Sequence, residues 1–115
     1  FIMANTQLIK QSCIWLHKIY LLCFNMLKTL EDLVTLARER KKNPVEGSYT
    51  NKLLEDETLS KEKVLEEVGE LIESVEKNTN KIHEAADVFY HLIMYLEKSG
   101  IKIEDVMEEL NSRKK

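Results

Sequence analysis

Two pairs of carboxylates stand out by their spacing. Glu67 and Glu70 lie three residues apart, as do Glu84 and Asp87, with thirteen residues between the pairs. On a helix, that spacing places both members of a pair on one face, one turn apart. Two facing helices then bring four carboxylates together, a cluster that repels itself unless cations sit within it. Hard oxygen ligands favour Mg²⁺, with Mn²⁺ as a substitute, and Mg²⁺ commonly keeps several waters and bridges to substrate phosphates.

A plainer reading competes. Acidic residues opposite an apolar stripe are usually a solvated face, and the run Glu66–Glu73 taken alone reads that way. The second pair argues otherwise. Val88, Tyr90, Met94 and Tyr95 surround Glu84, Asp87 and His91, so that helix is apolar nearly all round. Carboxylates on a helix expected to be buried need partners or metal. His91, one turn beyond Asp87, stays open between metal ligand, proton carrier and packed hydrogen-bonding residue, the last being favoured. His17 and His83 have no informative context.

A second group of residues suits phosphate. Gly47, Ser48, Tyr49 and Thr50 offer hydroxyls and backbone N–H groups, and Arg38, Arg40, Lys41 and Lys42 precede them. Cations and donors beside an acidic metal site match a polyphosphate. Basic residues also favour helix C-termini, so this group carries little weight alone. Lys63, one turn before Glu66 and Glu67, divides evenly between an intrahelical ion pair and a phosphate contact.

Helices must position these groups. Thr29 with Asp32 resembles a capping pair ahead of Leu30, Leu33, Val34, Leu36 and Ala37. The helix is expected to end near Lys42, before Pro44. Residues 43–50 read as a loop, with a short helical turn around Leu53 and Leu54. Ser60 is the expected N-cap of the next helix. Val64, Leu65, Val68, Leu71, Ile72 and Val75 follow at helical spacing and make one apolar stripe, with Lys63, Glu66, Glu67, Glu70 and Glu73 on the opposite side. Thr79 or Asn80 caps a third helix, with Ile82, Ala85, Phe89, Leu92, Ile93 and Leu96 inward and Ser99-Gly100 as its stop. A last helix spans about Glu104–Arg113, with Val106, Met107 and Leu110 inward. The body predicts an all-α antiparallel bundle of about four helices with short connections.

Composition agrees. The chain has 115 residues with 3 Gly and 1 Pro, too few turn formers for a many-stranded sandwich or barrel. Two cysteines, Cys13 and Cys23, are too few for a disulfide scaffold or a four-ligand zinc site. A net charge of −3 argues against a general nucleic-acid binder. That charge is uneven: residues 1–25 carry +2 and residues 26–115 carry −5. The first stretch holds both cysteines and the only Trp and has no acid. It is expected to be an extension of doubtful origin, non-native or translated from upstream, with Met26 a natural start. A helix packed on the body, or a targeting or membrane-surface segment, are the lesser readings. Lys18 and His17 interrupt its apolar run, and Ile19–Phe24 is far too short to span a bilayer. Removing residues 1–25 is expected to leave activity intact.

The ordered set of motifs resembles the phosphoribosyl-ATP pyrophosphohydrolase family of histidine biosynthesis over essentially all of residues 27–115. It comprises Arg40 with Gly47-Ser48-Tyr49-Thr50, then Lys63-Val64-Leu65-Glu66-Glu67-Val68-Gly69-Glu70. Glu84-Ala85-Ala86-Asp87 with Tyr90-His91-Leu92 follows, and Glu109-Leu110 with Arg113 closes it. The acidic part is also similar to the wider MazG-like all-α nucleotide pyrophosphohydrolases, whose pattern is E-x-x-E, a spacer, then E-x-x-D. The linker Glu55–Leu59 departs mildly, being acidic and lacking a glycine often found there, and residues 1–25 have no counterpart.

The resemblance implies Mg²⁺-dependent hydrolysis of phosphoribosyl-ATP to phosphoribosyl-AMP and pyrophosphate, in the cytoplasm, by a homodimer. It implies that Glu67, Glu70, Glu84 and Asp87 hold metal. Glu66 or Glu67 would take or orient the proton of a water attacking the α–β phosphoanhydride. Lys63, Arg40, Ser48, Tyr49 and Thr50 would position the small nucleotide substrate, with His91 among its contacts. Two other readings stay open: a housecleaning enzyme acting on dUTP or a non-standard nucleoside triphosphate, and a non-enzymatic helical interaction module. No nucleic-acid or membrane partner is expected.

Overall fold

A computed structural model describes residues 28–114. The expectations for residues 1–25, including Cys13 and Cys23, therefore lie outside the described residues. Those that are described form helices joined by short loops, with no strand among them. They are α1 (28–42), α2 (Tyr49–Glu55), α3 (Glu57–Lys77), α4 (Lys81–Lys98) and α5 (Ile103–Ser112). From Leu33 onward the chain is one compact unit. In the short described stretch before it, α1 is already helical at residue 28. Thr29 and Asp32 therefore sit inside the helix rather than at its start, and Asp32 takes an exposed contact from Lys28 Nζ at 3.0 Å.

The turns follow local chemistry. α1 ends before Pro44, as expected. Ser48 caps α2, its side chain accepting from Asn51 N, so the helix begins earlier than expected and takes in Tyr49 and Thr50. Asp56 then serves twice: it closes α2 with its backbone N–H and opens α3 with its carboxylate, which accepts from Leu59 N at 3.0 Å. Ser60 is therefore not the N-cap; it lies within α3, 1% exposed. Asn78, at φ 53, closes α3, with Thr79 N donating to Ser74 O. Asn80 occupies the N-cap position of α4 without a side-chain cap bond. Gly100, at φ 73, closes α4, with Ile101 N donating to Leu96 O and Gly100 N to Glu97 O. That pair of bonds needs a left-handed residue, which glycine adopts at little cost.

The three-residue connection makes α3 and α4 antiparallel neighbours, and they share the largest helix contact. α2 packs against both, and α5 touches α4. The core is small: Val34, Ala37, Leu53, Leu54, Ile93 and Met94 are buried, with Leu33, Leu59 and Tyr90 packed against the cluster of Ala37, Leu53, Leu54 and Met94. Much of the expected apolar stripe lies outside this core. Leu65 is 67% exposed, Ile72 55%, Val75 58%, Ile82 88% and Phe89 55%. Met107 and Leu110 of α5 are also exposed, while Val106 is half-buried. The buried positions of α3 are Ser60, Glu67 and Ser74, on the side read as polar, and the apolar residues Leu65, Val68, Ile72 and Val75 are left exposed.

One ion-pair group fastens α1 to the far end of the bundle. Arg38 donates through Nη1 and Nη2 to both oxygens of Glu104, at 2.9 and 2.6 Å, and through Nε to Glu97 at 3.2 Å. Lys41 Nζ donates to the Glu97 carbonyl at 2.9 Å. The buried Glu97 carboxylate thus has two cations beside it, which its burial requires.

Candidate active site

The helical spacing places Glu67 and Glu70 on the face of α3 that meets α4, and Glu84 approaches from the other side. Ligand oxygens of Glu67, Glu70 and Glu84 lie within 4.8 Å of one another. Asp87, one turn along α4, is not in this trio but forms a second with Glu84 and His83, so Glu84 belongs to both. Glu67 is 5% exposed. One of its oxygens is 3.3 Å from Lys63 Nζ. The other, Oε2, is buried without a hydrogen-bond partner, and so is Oε2 of Glu84. The Glu70 carboxyl is pushed above its usual range, chiefly by the charge of Glu67 and further by desolvation and by Glu84. Clustered carboxylates with two buried oxygens that lack a hydrogen-bond partner suit a hard cation.

Lys63 serves both neighbouring acids. Its Nζ is 2.8 Å from Glu66 Oε2 and 3.3 Å from Glu67 Oε1. These contacts, Glu66 first, raise the ammonium's pKa and keep it charged. Glu66 is about half exposed, while Glu67 faces inward.

The hydroxyl segment lies nearby. Burial raises the Tyr49 phenol pKa, with the charge of Lys63 opposing and those of Glu67 and Glu66 adding, so the start of α2 shares the field of the acidic site. Arg40 Nη1 donates to Ser48 Oγ at 2.7 Å, and Asn51 N donates to the same oxygen at 3.2 Å. Ser48 therefore uses its lone pairs and keeps its own proton to give. Thr50 is buried, its hydroxyl paired with Tyr90 Oη at 2.5 Å. That places Thr50 behind the site rather than in it.

His91 is likewise buried, with both ring nitrogens engaged. Nδ1 lies 2.7 Å from the Asp87 carbonyl and Nε2 3.0 Å from Tyr49 Oη. A carbonyl only accepts, so Nδ1 donates to it, and Nε2 shares the other hydrogen bond with the Tyr49 hydroxyl. Tyr49, Tyr90 and His91 also pack ring against ring, with centroids 5.1 to 6.5 Å apart. His91 is thus joined to Tyr49 and to the backbone of Asp87.

Two features escaped the sequence reading. Asn51, 5% exposed, donates through Nδ2 to Arg40 O at 2.9 Å and accepts at Oδ1 from Val45 N at 2.9 Å. It ties the end of α1 to the loop before Ser48. The one signal was an asparagine, a poor helix former, among the buried positions of a short helix. The other is Glu97: Arg38 and Lys41, grouped in sequence with the phosphate residues, are committed to it.

Comparison with known proteins follows the same lines. The family model for phosphoribosyl-ATP pyrophosphohydrolase matches residues 30–114. A phosphoribosyl-ATP pyrophosphatase of Clostridium novyi is 39% identical over 95 residues, covering 77% of this chain and 84% of that protein. One from Leuconostoc mesenteroides is 40% identical over 93 residues, covering 75% and 77%. A histidine biosynthesis bifunctional protein of Pyrococcus furiosus is 39% identical over 94 residues, which is 79% of this chain but 42% of that longer protein. No solved structure gives a significant match.

Proposed function

The chain belongs to the phosphoribosyl-ATP pyrophosphohydrolase family, and from that premise we propose that it hydrolyses phosphoribosyl-ATP to phosphoribosyl-AMP and pyrophosphate in the cytoplasm, the second step of histidine biosynthesis. The observation that supports this most is the Glu67–Glu70–Glu84 cluster, with two buried carboxylate oxygens that lack any donor. Its all-oxygen, anionic donor set fits Mg²⁺, with Mn²⁺ as a substitute. In this reading Glu67, Glu70 and Glu84 hold the ion and Asp87 joins them from the next turn of α4. Bound there, Mg²⁺ supplies charge to the triphosphate oxygens and lowers the pKa of a coordinated water.

The chain's own residues do the positioning and proton transfer. Lys63 fixes the carboxylates of Glu66 and Glu67, one of which takes the proton of the water attacking the α–β phosphoanhydride. Ser48 donates its remaining proton to a phosphate oxygen, and Arg40, held against Ser48, presents its other N–H donors to the same anion. The Tyr49 hydroxyl is engaged by His91, so Tyr49 presents its ring to the substrate. Thr50, Tyr90 and His91 hold Tyr49 and the start of α2 in place.

We further infer a homodimer. Leu65, Val68, Ile72 and Val75 recur on one exposed face of α3, and Ile82 and Phe89 are exposed on the adjoining α4. A bundle with so small a core gains most by covering this face with a second copy of itself.

The deciding assay is pyrophosphate release from phosphoribosyl-ATP with Mg²⁺, compared with a panel of nucleoside triphosphates including dUTP. Glu70→Gln and Asp87→Asn should each lose at least about 100-fold in rate, since even groups one shell out from a metal are worth 10–100-fold. Full activity in both variants would sink the site assignment.

A further inference from the structure

We propose that a second copy of this chain seats its α3 antiparallel on α3, the two helices crossing at Gly69, with Lys61 of each copy paired with Glu76 of the other. The inference rests on the homodimer reading above and adds to it a register and a crossing point.

Gly69 lies in the middle of α3, where glycine is the least favourable residue after proline. Its backbone is ordinary helix, since the positive-φ glycines are Gly47 and Gly100. A Cβ placed on Gly69 would meet nothing within 4 Å, so no neighbour among the described residues requires the glycine. The missing side chain leaves a notch in the exposed apolar face of α3, between Leu65, Val68 and Ile72. The distance between packed helix axes is set by the side chains at the contact, so a notch admits a second helix closely.

The residues around the notch identify that helix. At about 100° per residue, Lys61, Leu65, Val68, Gly69, Ile72 and Glu76 share one face of α3, away from the buried Ser60, Glu67 and Ser74. Turned end for end about a twofold axis between residues 68 and 69, this face matches itself. Leu65 then opposes the partner's Ile72, Val68 opposes the partner's Gly69, and Lys61 opposes the partner's Glu76. Each contact occurs twice, as an interface between identical surfaces requires. Valine fills the notch left by glycine, larger apolar residues meet on either side, and unlike charges close both ends. A parallel setting would instead oppose Lys61 to Lys61 and Glu76 to Glu76. The charges are available: Lys63 and Lys77 are engaged by Glu66 and Glu73, whereas Lys61 and Glu76 are exposed and have no ion pair among the described residues. A face complementary to its own reverse fits a second copy better than an unrelated protein.

The test is sedimentation equilibrium on the full chain at low ionic strength, where exposed charges are least screened. Lys61→Glu and Glu76→Lys should each raise the dimer Kd about tenfold, because each reversal replaces two attractions with two repulsions. The double variant Lys61→Glu/Glu76→Lys should return to within about threefold of the parent. Net charge alone predicts otherwise: the chain carries −3, so Glu76→Lys would tighten association. Gly69→Leu should raise Kd about tenfold or more by filling the notch, while the better helix propensity of leucine keeps α3 formed. Circular dichroism melts establish that each variant is folded. A parent dimer whose Kd ignores these changes, or a double variant that is not restored, would overturn the register and leave the homodimer reading standing. A parent that stays monomeric at every concentration reached would remove both and leave the face to a different partner.

Discussion

Ser48 offers the sharpest test, because its structural and chemical roles can be separated by two substitutions. Its oxygen caps α2 by accepting from Asn51 N, and it also accepts from Arg40. Its proton is the group assigned to the substrate phosphate. Ser48→Ala removes all three functions. Loss of an N-cap to alanine costs about 1 kcal/mol, whereas glycine at the same position costs only a few tenths. For a domain of this size, 1 kcal/mol corresponds to about 4–8 °C in Tm. Ser48→Ala should therefore melt about 4–8 °C below the parent and Ser48→Gly only about 1–3 °C below it. A hydrogen bond to a charged group is worth about 1.5–3 kcal/mol. Both variants should thus lose about ten- to hundredfold in kcat/KM for phosphoribosyl-ATP, and by similar amounts. The assay is steady-state pyrophosphate release at a temperature where both variants are folded, paired with thermal melts. If Ser48→Gly retains the parent's kcat/KM while Ser48→Ala loses it, the residue matters only as a cap and the phosphate contact is wrong.

Three further outcomes follow from the geometry. His91→Phe keeps a ring in place but removes both hydrogen bonds, so it should destabilise by about 1–3 kcal/mol and lower kcat/KM by freeing Tyr49; melts and kinetics matching the parent would refute the positioning role. The bidentate contact with Arg38 holds the Glu104 carboxyl down to about 2. A depressed folded pKa stabilises fully above the unfolded value of about 4.3 and is lost as pH falls from there toward about 2, so Glu104→Gln should flatten the acid limb of the stability curve slightly, the pair being exposed. Identical acid limbs in parent and variant would contradict the clamp. Light scattering should find the parent dimeric at micromolar concentration and Phe89→Glu shifted toward monomer; a parent that is a stable monomer would count against the dimer.

What the sequence disclosed depended on the range of the interaction. Helical periodicity is local, so the faces of Glu67, Glu70, Glu84 and Asp87 could be read directly, and the short link at 78–80 set their helices side by side. The same periodicity cannot say what covers a face, which is why Leu65, Ile72 and Phe89 read as core and are exposed. Hydroxyls were ambiguous for a related reason. Ser48 and Thr50 are two residues apart and chemically alike, yet one faces Arg40 and the other is buried on Tyr90, forty residues away. Only the packing of α2 on α4 distinguishes them. The start of α3 was misplaced because Asp56 and Ser60 both make good caps, and the choice fell to the residue that could end α2 as well.

The small core and the acidic site bear on each other. Glu67 and Glu84 stand on different helices, a ligand oxygen of each lies within 4.8 Å of the other, and one oxygen of each is buried without a hydrogen-bond partner. Like charges at that separation push α3 and α4 apart. The buried apolar side chains Val34, Ala37, Leu53, Leu54, Ile93 and Met94 lie on α1, α2 and α4, and from α3 the partly buried Leu59 packs against that core. The exposed stripe of Leu65, Val68, Ile72 and Val75 lies on the same α3 that carries the acids, so a second copy seated there would brace the helix the repulsion displaces. A cation in the cluster removes the repulsion itself. The proposed dimer and the proposed metal would both act on the α3–α4 spacing, so each should strengthen the binding of the other.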